Sequence, residues 1–363
     1  MSTAIDTSQG LKVLDIDELR SRVAKEVAAT ITSQAVLINN VNKDLGILTE
    51  SLSAMMSGGK RLRPAFAYWG FRAAGGQDSD EILKAATALE FLQACALIHD
   101  DVMDESDTRR GNPSSHRQFE TLHKQNGWLG DSKQFGIGGA ILLGDLCLSW
   151  ADELLMKSGF ETSRLMNAKN LYDVMRTELL AGQYLDLLEQ AKSNASIENI
   201  LQVVTYKSAK YTIERPLHMG ALLAGADQKT LKTLSDYGLP LGIAFQLRDD
   251  ILGVFGDEKI TGKPAGDDLR EGKRTVLVAT ALSRTTGAEH DLLNLSLGNK
   301  NLTSQTISDL QSILTNSGAV DEVEQMIEKN RTTALQAIEA DYLEEKAKFV
   351  LANLAVAATE RTF

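Results

Sequence analysis

Residues Ser79–His116, SDEILKAATALEFLQACALIHDDVMDESDTRRGNPSSH, decide how the chain is read. Up to about Asp104 the apolar residues Leu89, Phe91, Leu92, Leu97 and Ile98 are too evenly distributed for a surface helix, which predicts a long, mostly buried central helix. Its end turns acidic. Asp100 and Asp104 are four apart and stack on one helix face, with Asp101 beside them. Acids stacked this way repel unless divalent cations and their ligand lie between the carboxylates. Arg109 and Arg110 follow within two turns, planar donor forks suited to phosphate oxygens. Carboxylates for magnesium beside arginines for phosphate suggest a diphosphate site.

Before this stretch, residues 1–10 read as a disordered lead. Asp15 or Asp17 is placed to cap a helix whose apolar positions Val23, Val27 and Ile31 fall on one face. A second helical pattern, Asn42 to Met56, ends at Gly58-Gly59 and is followed by GGKRLRP. The basic residues Lys60, Arg61 and Arg63 ahead of Pro64 suit a solvated surface or an anion site at a helix start. After it, residues 111–136 read as polar and irregular. Residues 137–157 return to a buried helical pattern that includes Asp145. A helix over 163–191 carries Glu178, Gln183 and Asp186 along its second half. Another, opened by Ser196, reaches Lys207 and Ser208 and is expected to end near Arg215-Pro216.

The apolar helix through FQLRDDILGVFGD holds a second acid pair, Asp249 and Asp250. The loop KITGKPAGDDLREGKRT beyond it, rich in glycine and charge, is a lid candidate. Residues 276–363 read as helical scaffold. No strand alternation or fixed-period repeat persists, and the five prolines are few enough to favour long helices, so an all-α fold is predicted. Two acid pairs on separate apolar helices can face each other across a cavity in a bundle.

The net charge of −11 argues against a nucleic-acid partner, which requires a basic surface. Cys95 and Cys147 stand at no metal-ligand spacing and fit a reducing compartment. The start MSTAIDTSQG lacks a basic, apolar leader, and the apolar run 135–143 is too short to span a bilayer. A cytoplasmic protein with no integral membrane segment is expected.

Taken together, GGKRLRP, LIHDDVMDESDTRRGNPSSH, GQYLDL, YKSA, FQLRDDILGVFGD and GKPAGDDLREGKRT resemble the trans-isoprenyl diphosphate synthases of the polyprenyl synthetase family, in the family's order and spacing. The resemblance implies a single-domain bundle over 11–363, built of long helices around a deep apolar cavity and forming a homodimer. It also implies elongation of allylic diphosphates by isopentenyl diphosphate with Mg2+. Carried over by position, Asp100, Asp104 and Asp249 become the principal metal ligands, with Asp101, Asp250 and Asp268 assisting. Arg109, Lys207 and Lys263 hold the allylic diphosphate, with Lys273 reaching the same region. Lys60, Arg63, Gln93 and Arg110 bind isopentenyl diphosphate, and Ser208 and Gln246 line the reacting centre.

One departure concerns the second motif, commonly DDxxD, which here has Gly253 at its last position and Asp257 four residues further on. Activity is expected to survive because the first aspartate carries most of the ligation. Asp257 could take over only if the helix bends at the glycines. In this family the residues four and five before the first aspartate form the cavity floor. Here they are Ala96 and Cys95, both small, read as lying one turn deeper along the wall below Asp100. Phe91 and Leu92, a further turn down, become the floor, and geranylgeranyl diphosphate the product, with farnesyl or longer polyprenyl diphosphates as alternatives. A non-catalytic subunit of a heteromeric synthase is disfavoured, since such subunits tend to lose the first acid cluster.

Overall fold

The computed structural model describes residues 18–109, 111–192, 196–256 and 265–360. These are almost wholly helical. In order they form α1 (Leu19–Val41), α2 (Gly46–Met56), α3 (Leu62–Ala73) and α4 (Asp80–Met103), a ribbon of β1 (Thr108–Arg109) and β2 (Asn112–Pro113), then α5 (Ser115–Gln125), α6 (Ser132–Met156) and α7 (Thr162–Ala191). The chain continues as α8 (Ile197–Val203), a π-helical segment (Val204–Glu214), α9 (Arg215–Ala224) and α10 (Gln228–Phe255). It closes with α11 (Asp267–Glu271), α12 (Val276–Arg284), α13 (Gly287–Ser296), α14 (Ser304–Asn316), α15 (Ala319–Ala337) and α16 (Glu345–Thr359).

The central helix is α4. Its first turn carries Asp80 and Glu81, favourable charges at a helix N-terminus, and from Ile82 to Ile98 most of its side chains are buried. One hydrophobic cluster surrounds it, drawn from α1 to α7, α9, the first half of α10 and α16. A second gathers α12 to α15 around the last turns of α10. Helix α10 belongs to both: Leu234, Tyr237 and Leu241 enter the first cluster, Leu247, Ile251 and Val254 the second. Polar bonds tie the seam, with Arg248 donating to both carboxylate oxygens of Glu324 at 2.6 Å and to the Thr359 carbonyl at 2.8 Å.

Side-chain caps set several boundaries. Asp131 accepts from the Gln134 amide at 2.7 Å, Ser196 from Asn199 at 3.1 Å and Asp227 from Thr230 at 2.8 Å. Val23, Val27 and Ile31 are buried along α1 as expected, whereas Asp15 and Asp17 lie outside the described residues.

Three expectations need correction. Residues 111–136 are not irregular throughout, because α5 occupies 115–125. Its buried face is Ser115, His116, Phe119 and His123, a stripe at helical spacing opposite a strongly polar face, so the helix is legible in its period though not in its overall hydropathy. The helix after Ser196 does not end at Pro216. It widens into the π segment and re-forms as α9 with Pro216 in the first turn, where a proline's missing amide and fixed φ are tolerated. Finally, α6 is not a buried helix. Leu142 is 62% exposed, Ile141, Phe135 and Met156 are also exposed, and the Asp145 side chain is 60% exposed. Helices α4 and α6 are each long and apolar enough to cross a bilayer, but α4 is core and α6 packs along it.

Candidate active site

The acidic end of α4 meets three other elements. Asp100 Oδ1 accepts from Gln183 Nε2 of α7 at 2.9 Å and from Lys207 Nζ of the π segment at 3.5 Å. Lys207 also donates to Asp186, one turn beyond Gln183, at 2.5 Å. These helices approach closely because two glycines face the π segment. A Cβ on Gly182 would lie 2.6 Å from the Lys207 backbone nitrogen, and one on Gly242 of α10 would lie 2.5 Å from the Ala209 Cα. A π segment re-aims side chains relative to a regular helix, and here it carries Lys207, Ser208 and Tyr211.

Asp101, 2% exposed, accepts from Arg109 Nε at 2.9 Å and from its Nη2. The β1–β2 ribbon turns Arg109 back over α4, leaving Nη2 3.7 Å from Asp100 Oδ2. The second acid group lies on α10 and α11. Asp250 is buried and accepts from Gln246 at 2.7 Å, while Asp249 is the more open of the pair. Asp268 Oδ1 lies 3.3 Å from Lys273 Nζ, which is 2.5 Å from Glu271 Oε2. The Lys273 charge bears on Asp100 and Asp104 as well as on Asp268, so both acid groups share this lysine's field.

Electrostatics separate the carboxyls. Burial pushes Asp104 up to about 6, reinforced by the Asp100 charge, and pushes Asp250 up to about 8, with Asp268 and Asp249 adding to it. At Asp100 burial acts in the same sense but is outweighed by Lys207, Lys273 and Arg109, and the carboxyl sits below its ordinary value. Lys207 and Lys273 are held charged against burial by their acidic neighbours. Asp104 and Asp250 thus sit where burial, with neighbouring carboxylates adding to it, favours the protonated form. Among the described residues no three His, Cys, Asp or Glu side chains form a ready metal cage. Separated aspartates fit magnesium, which retains waters and takes one or two carboxylates plus phosphate oxygens.

Around α3 the basic triplet divides. Arg61, buried, pairs with the buried Glu90 of α4 and donates to the Met56 carbonyl at 2.5 Å, a structural role. Lys60 is exposed. Arg63 donates to Thr212 at 2.8 Å and lies 4.3 Å over the Tyr211 ring, whose hydroxyl donates to Gln93 at 2.8 Å. Arg63 and Gln93 therefore converge through the π segment, on the side of α4 away from α6. Arg110, Asp257 and Lys263 lie outside the described residues.

The chain-length candidates divide as well. Ala96 is half-buried on the Asp100 side of α4, and Cys95 is buried with its Sγ 3.8 Å from His99 Nδ1, within reach of Tyr211 of the π segment as well as Cys147 of α6. Phe91 sits edge-on to Trp150 of α6 at 6.4 Å, and Leu92 is buried. Gln183, Asp186, Tyr211 and Glu271 join the constellation without having been assigned roles. The i, i+3 spacing of Gln183 and Asp186 within GQYLDL was their one sequence signal.

A helical bundle that brings two aspartate groups together around lysines defines a class, the enzymes that transfer prenyl groups from diphosphates. The chain belongs to the polyprenyl synthetase family, whose model matches residues 46–314. It is 32% identical over 289 residues to the geranylgeranyl diphosphate synthase of Saccharolobus solfataricus, covering 77% of this chain and 82% of that one. It is also 32% identical to the geranylfarnesyl diphosphate synthase of Aeropyrum pernix, covering 76% and 81%. The fold matches the geranylgeranyl pyrophosphate synthase of Corynebacterium glutamicum, solved with isoprenyl diphosphate and magnesium, at a TM-score of 0.92. The two are 40% identical, over 96% of this chain and 100% of that one.

Proposed function

We propose that this prenyltransferase condenses isopentenyl diphosphate head to tail with dimethylallyl, geranyl and farnesyl diphosphates, in a Mg2+-dependent reaction whose all-E product is geranylgeranyl diphosphate. The carrying observation is that the two aspartate groups share the field of Lys273, with Lys207 on Asp100. Asp100, Asp104 and Asp249 would hold the metal with help from Asp250 and Asp268, and its chemistry is to neutralise the charge gathering on the leaving diphosphate. Lys207, Lys273, Arg109 and Lys263 bind and orient the allylic diphosphate. Asp101, by gripping Arg109, acts more as its anchor than as a ligand. Lys60, Arg63, Arg110 and Gln93 hold the isopentenyl diphosphate so that its double bond faces the ionising carbon, with Ser208 and Gln246 lining that space. The allylic C–O bond breaks, the double bond attacks to form the new C–C bond, and a proton leaves to the departed diphosphate.

The deep apolar cavity would run below Asp100 past Ala96, with Leu92 and Phe91 toward its floor. We read 11–363 as one domain, since α10 serves both clusters, and place the enzyme in the cytoplasm as a homodimer through the exposed face of α6. Chromatography of dephosphorylated products from each starter, with magnesium and with a chelator, tests the reading. Asp100→Ala and Asp104→Ala should each lower turnover by orders of magnitude in a folded protein. Near-full activity of either variant without metal would refute it. Because a geranylfarnesyl synthase is also 32% identical to this chain, a C25 product would revise the length alone.

A further inference from the structure

Arg61 and Arg63 stand two residues apart in GGKRLRP and meet different surroundings. Arg61 is 6% exposed, and its guanidinium pairs with Glu90, 8% exposed, in the middle of α4 while Nη2 donates to the Met56 carbonyl at the end of α2. A charge pair inside an apolar bundle costs the desolvation of both partners and is a weak source of stability. The backbone at Arg61 is costly too. Its φ of 54° lies in the left-handed region that residues with a Cβ seldom adopt, and Gly58 and Gly59 just before it have φ of 123° and 101°. Strain of this kind persists where the surroundings over-determine it, and a guanidinium that holds two other helices at once is such a constraint.

The pair also fixes what lies one step further along each helix. Gln93 follows Glu90 by three residues and so lies on the same side of α4, and Arg63 follows Arg61 by two in the first turn of α3. There the two helices meet again, because Arg63 stacks on the Tyr211 ring and Tyr211 donates to Gln93. Arg61, Glu90, Gln93, Tyr211 and Arg63 thus close a ring that joins α3, α4 and the π segment. The Glu90 charge also reaches the Tyr211 hydroxyl, opposing that of Arg63. Arg63 Nε is buried with no hydrogen-bond partner among the described residues, which leaves the start of α3, with Thr212 and the Tyr211 ring, to set where its guanidinium lies.

We propose that the Arg61–Glu90 pair is a positioning clamp for one substrate only. It sets the start of α3 against α4 so that Arg63 and Gln93 converge on isopentenyl diphosphate, and it leaves the allylic half of the site, around Asp100, Lys207 and Lys273, untouched. Arg61 and Glu90 are positioning residues, and the proposal rests on the two-substrate reading above.

The experiment compares wild type with E90Q, R61K, R61M/E90M, R63M and R61M/E90M/R63M. Steady-state kinetics would give the KM for isopentenyl diphosphate and, separately, for geranyl diphosphate, and thermal unfolding would report folding. E90Q strands a buried charge and should lower the melting temperature, whereas R61M/E90M removes both charges and should hold it near wild type. Both should raise the KM for isopentenyl diphosphate by about 10- to 100-fold, the loss expected when a binding group is misplaced by about 1 Å, while the KM for geranyl diphosphate stays near wild type. R61K, which keeps the charge but not the fork that spans Glu90 and Met56, should fall between. On the R63M background the change at the pair should cost little more, because the clamp acts through Arg63 and coupled residues are not additive. A wild-type KM for isopentenyl diphosphate in R61M/E90M, an equal rise in both KM values, or a full second loss on the R63M background would overturn the proposal. If R61M/E90M fails to fold, R61K and E90Q still decide the question by the same split. Wild type that makes no longer prenyl diphosphate from the two substrates would instead refute the proposed function, and the clamp with it.

Discussion

Asp104 and Asp250 are acids whose burial favours the protonated form. Their carboxyls, ordinarily near 3.8, are pushed up to about 6 and about 8, chiefly by burial. In metal-free protein the folded state therefore binds protons more tightly than the unfolded state, and the linkage slope is negative. The stability this confers is complete below pH 4 and is lost as pH rises through 6 and then 8. Each pH unit in that window costs up to about 1.4 kcal/mol per titrating group. Metal-free melting temperatures should accordingly fall from pH 5 to pH 8.5, and Asp250→Asn should flatten the upper half of the decline. A flat profile would contradict the burial-driven displacement of these two carboxyls. At this scale the sequence was most legible where chemistry is dense: an acid pair interrupting an apolar helix needs a partner. It was least legible at Gln183, Asp186 and Glu271, whose spacing is equally that of a solvated helix face.

Elements explain why some residues were misread. Hydropathy located α4 and α10 because they are apolar on most faces, whereas α5 is short and polar overall, and only the period of its buried stripe of His116, Phe119 and His123 marks it as a helix. Pro216 was a sound stop signal for an α-helix, and the π segment before it changes the local rule. The same angular logic governs product length. Residues four before Asp100 are offset by about 40° and residues five before by about 140°, so Ala96 stays nearest the acid face, Cys95 lies further round but still reaches Tyr211 of the π segment, and Phe91 turns to Trp150 of α6. Ala96 should thus be the main gate. Ala96→Phe should shift the main product to farnesyl diphosphate, and an equally bulky change at the more deeply buried Cys95 should shorten it too while lowering stability through overpacking. Product chromatography alongside thermal melts would separate the two. A folded Ala96→Phe enzyme with the wild-type product would remove the gate.

At the scale of the molecule, α6 is the element whose sequence and burial disagree most. It is as apolar as a core helix, yet it leaves Phe135, Ile141, Leu142 and Met156 open beside the exposed Leu37 and Val41 of α1. Between them lies a groove of about 380 Å³ lined by Ile38, Val41, Leu45, Leu48, Leu142 and Leu146. Contiguous apolar surface of this kind marks an interaction face, and a second copy of the chain is the proposed occupant. The same helix supports the active site from behind. His99 Nε2 meets the Ile141 carbonyl at 3.0 Å, and a Cβ on Gly144 would lie 2.1 Å from that ring, so α6 presses on α4 one residue from Asp100. A partner that holds α6 in place would therefore also hold Asp100. Leu142→Glu tests this, because a charge on an open surface costs a monomer little, whereas burying it at a symmetric contact places two unpaired charges together. Wild type should sediment as a dimer, and the variant should approach the 39.5 kDa of one chain with its helical content intact and its turnover reduced. A wild-type protein that is monomeric at micromolar concentration, or a Leu142→Glu dimer as tight as wild type, would leave the exposed face of α6 without this partner.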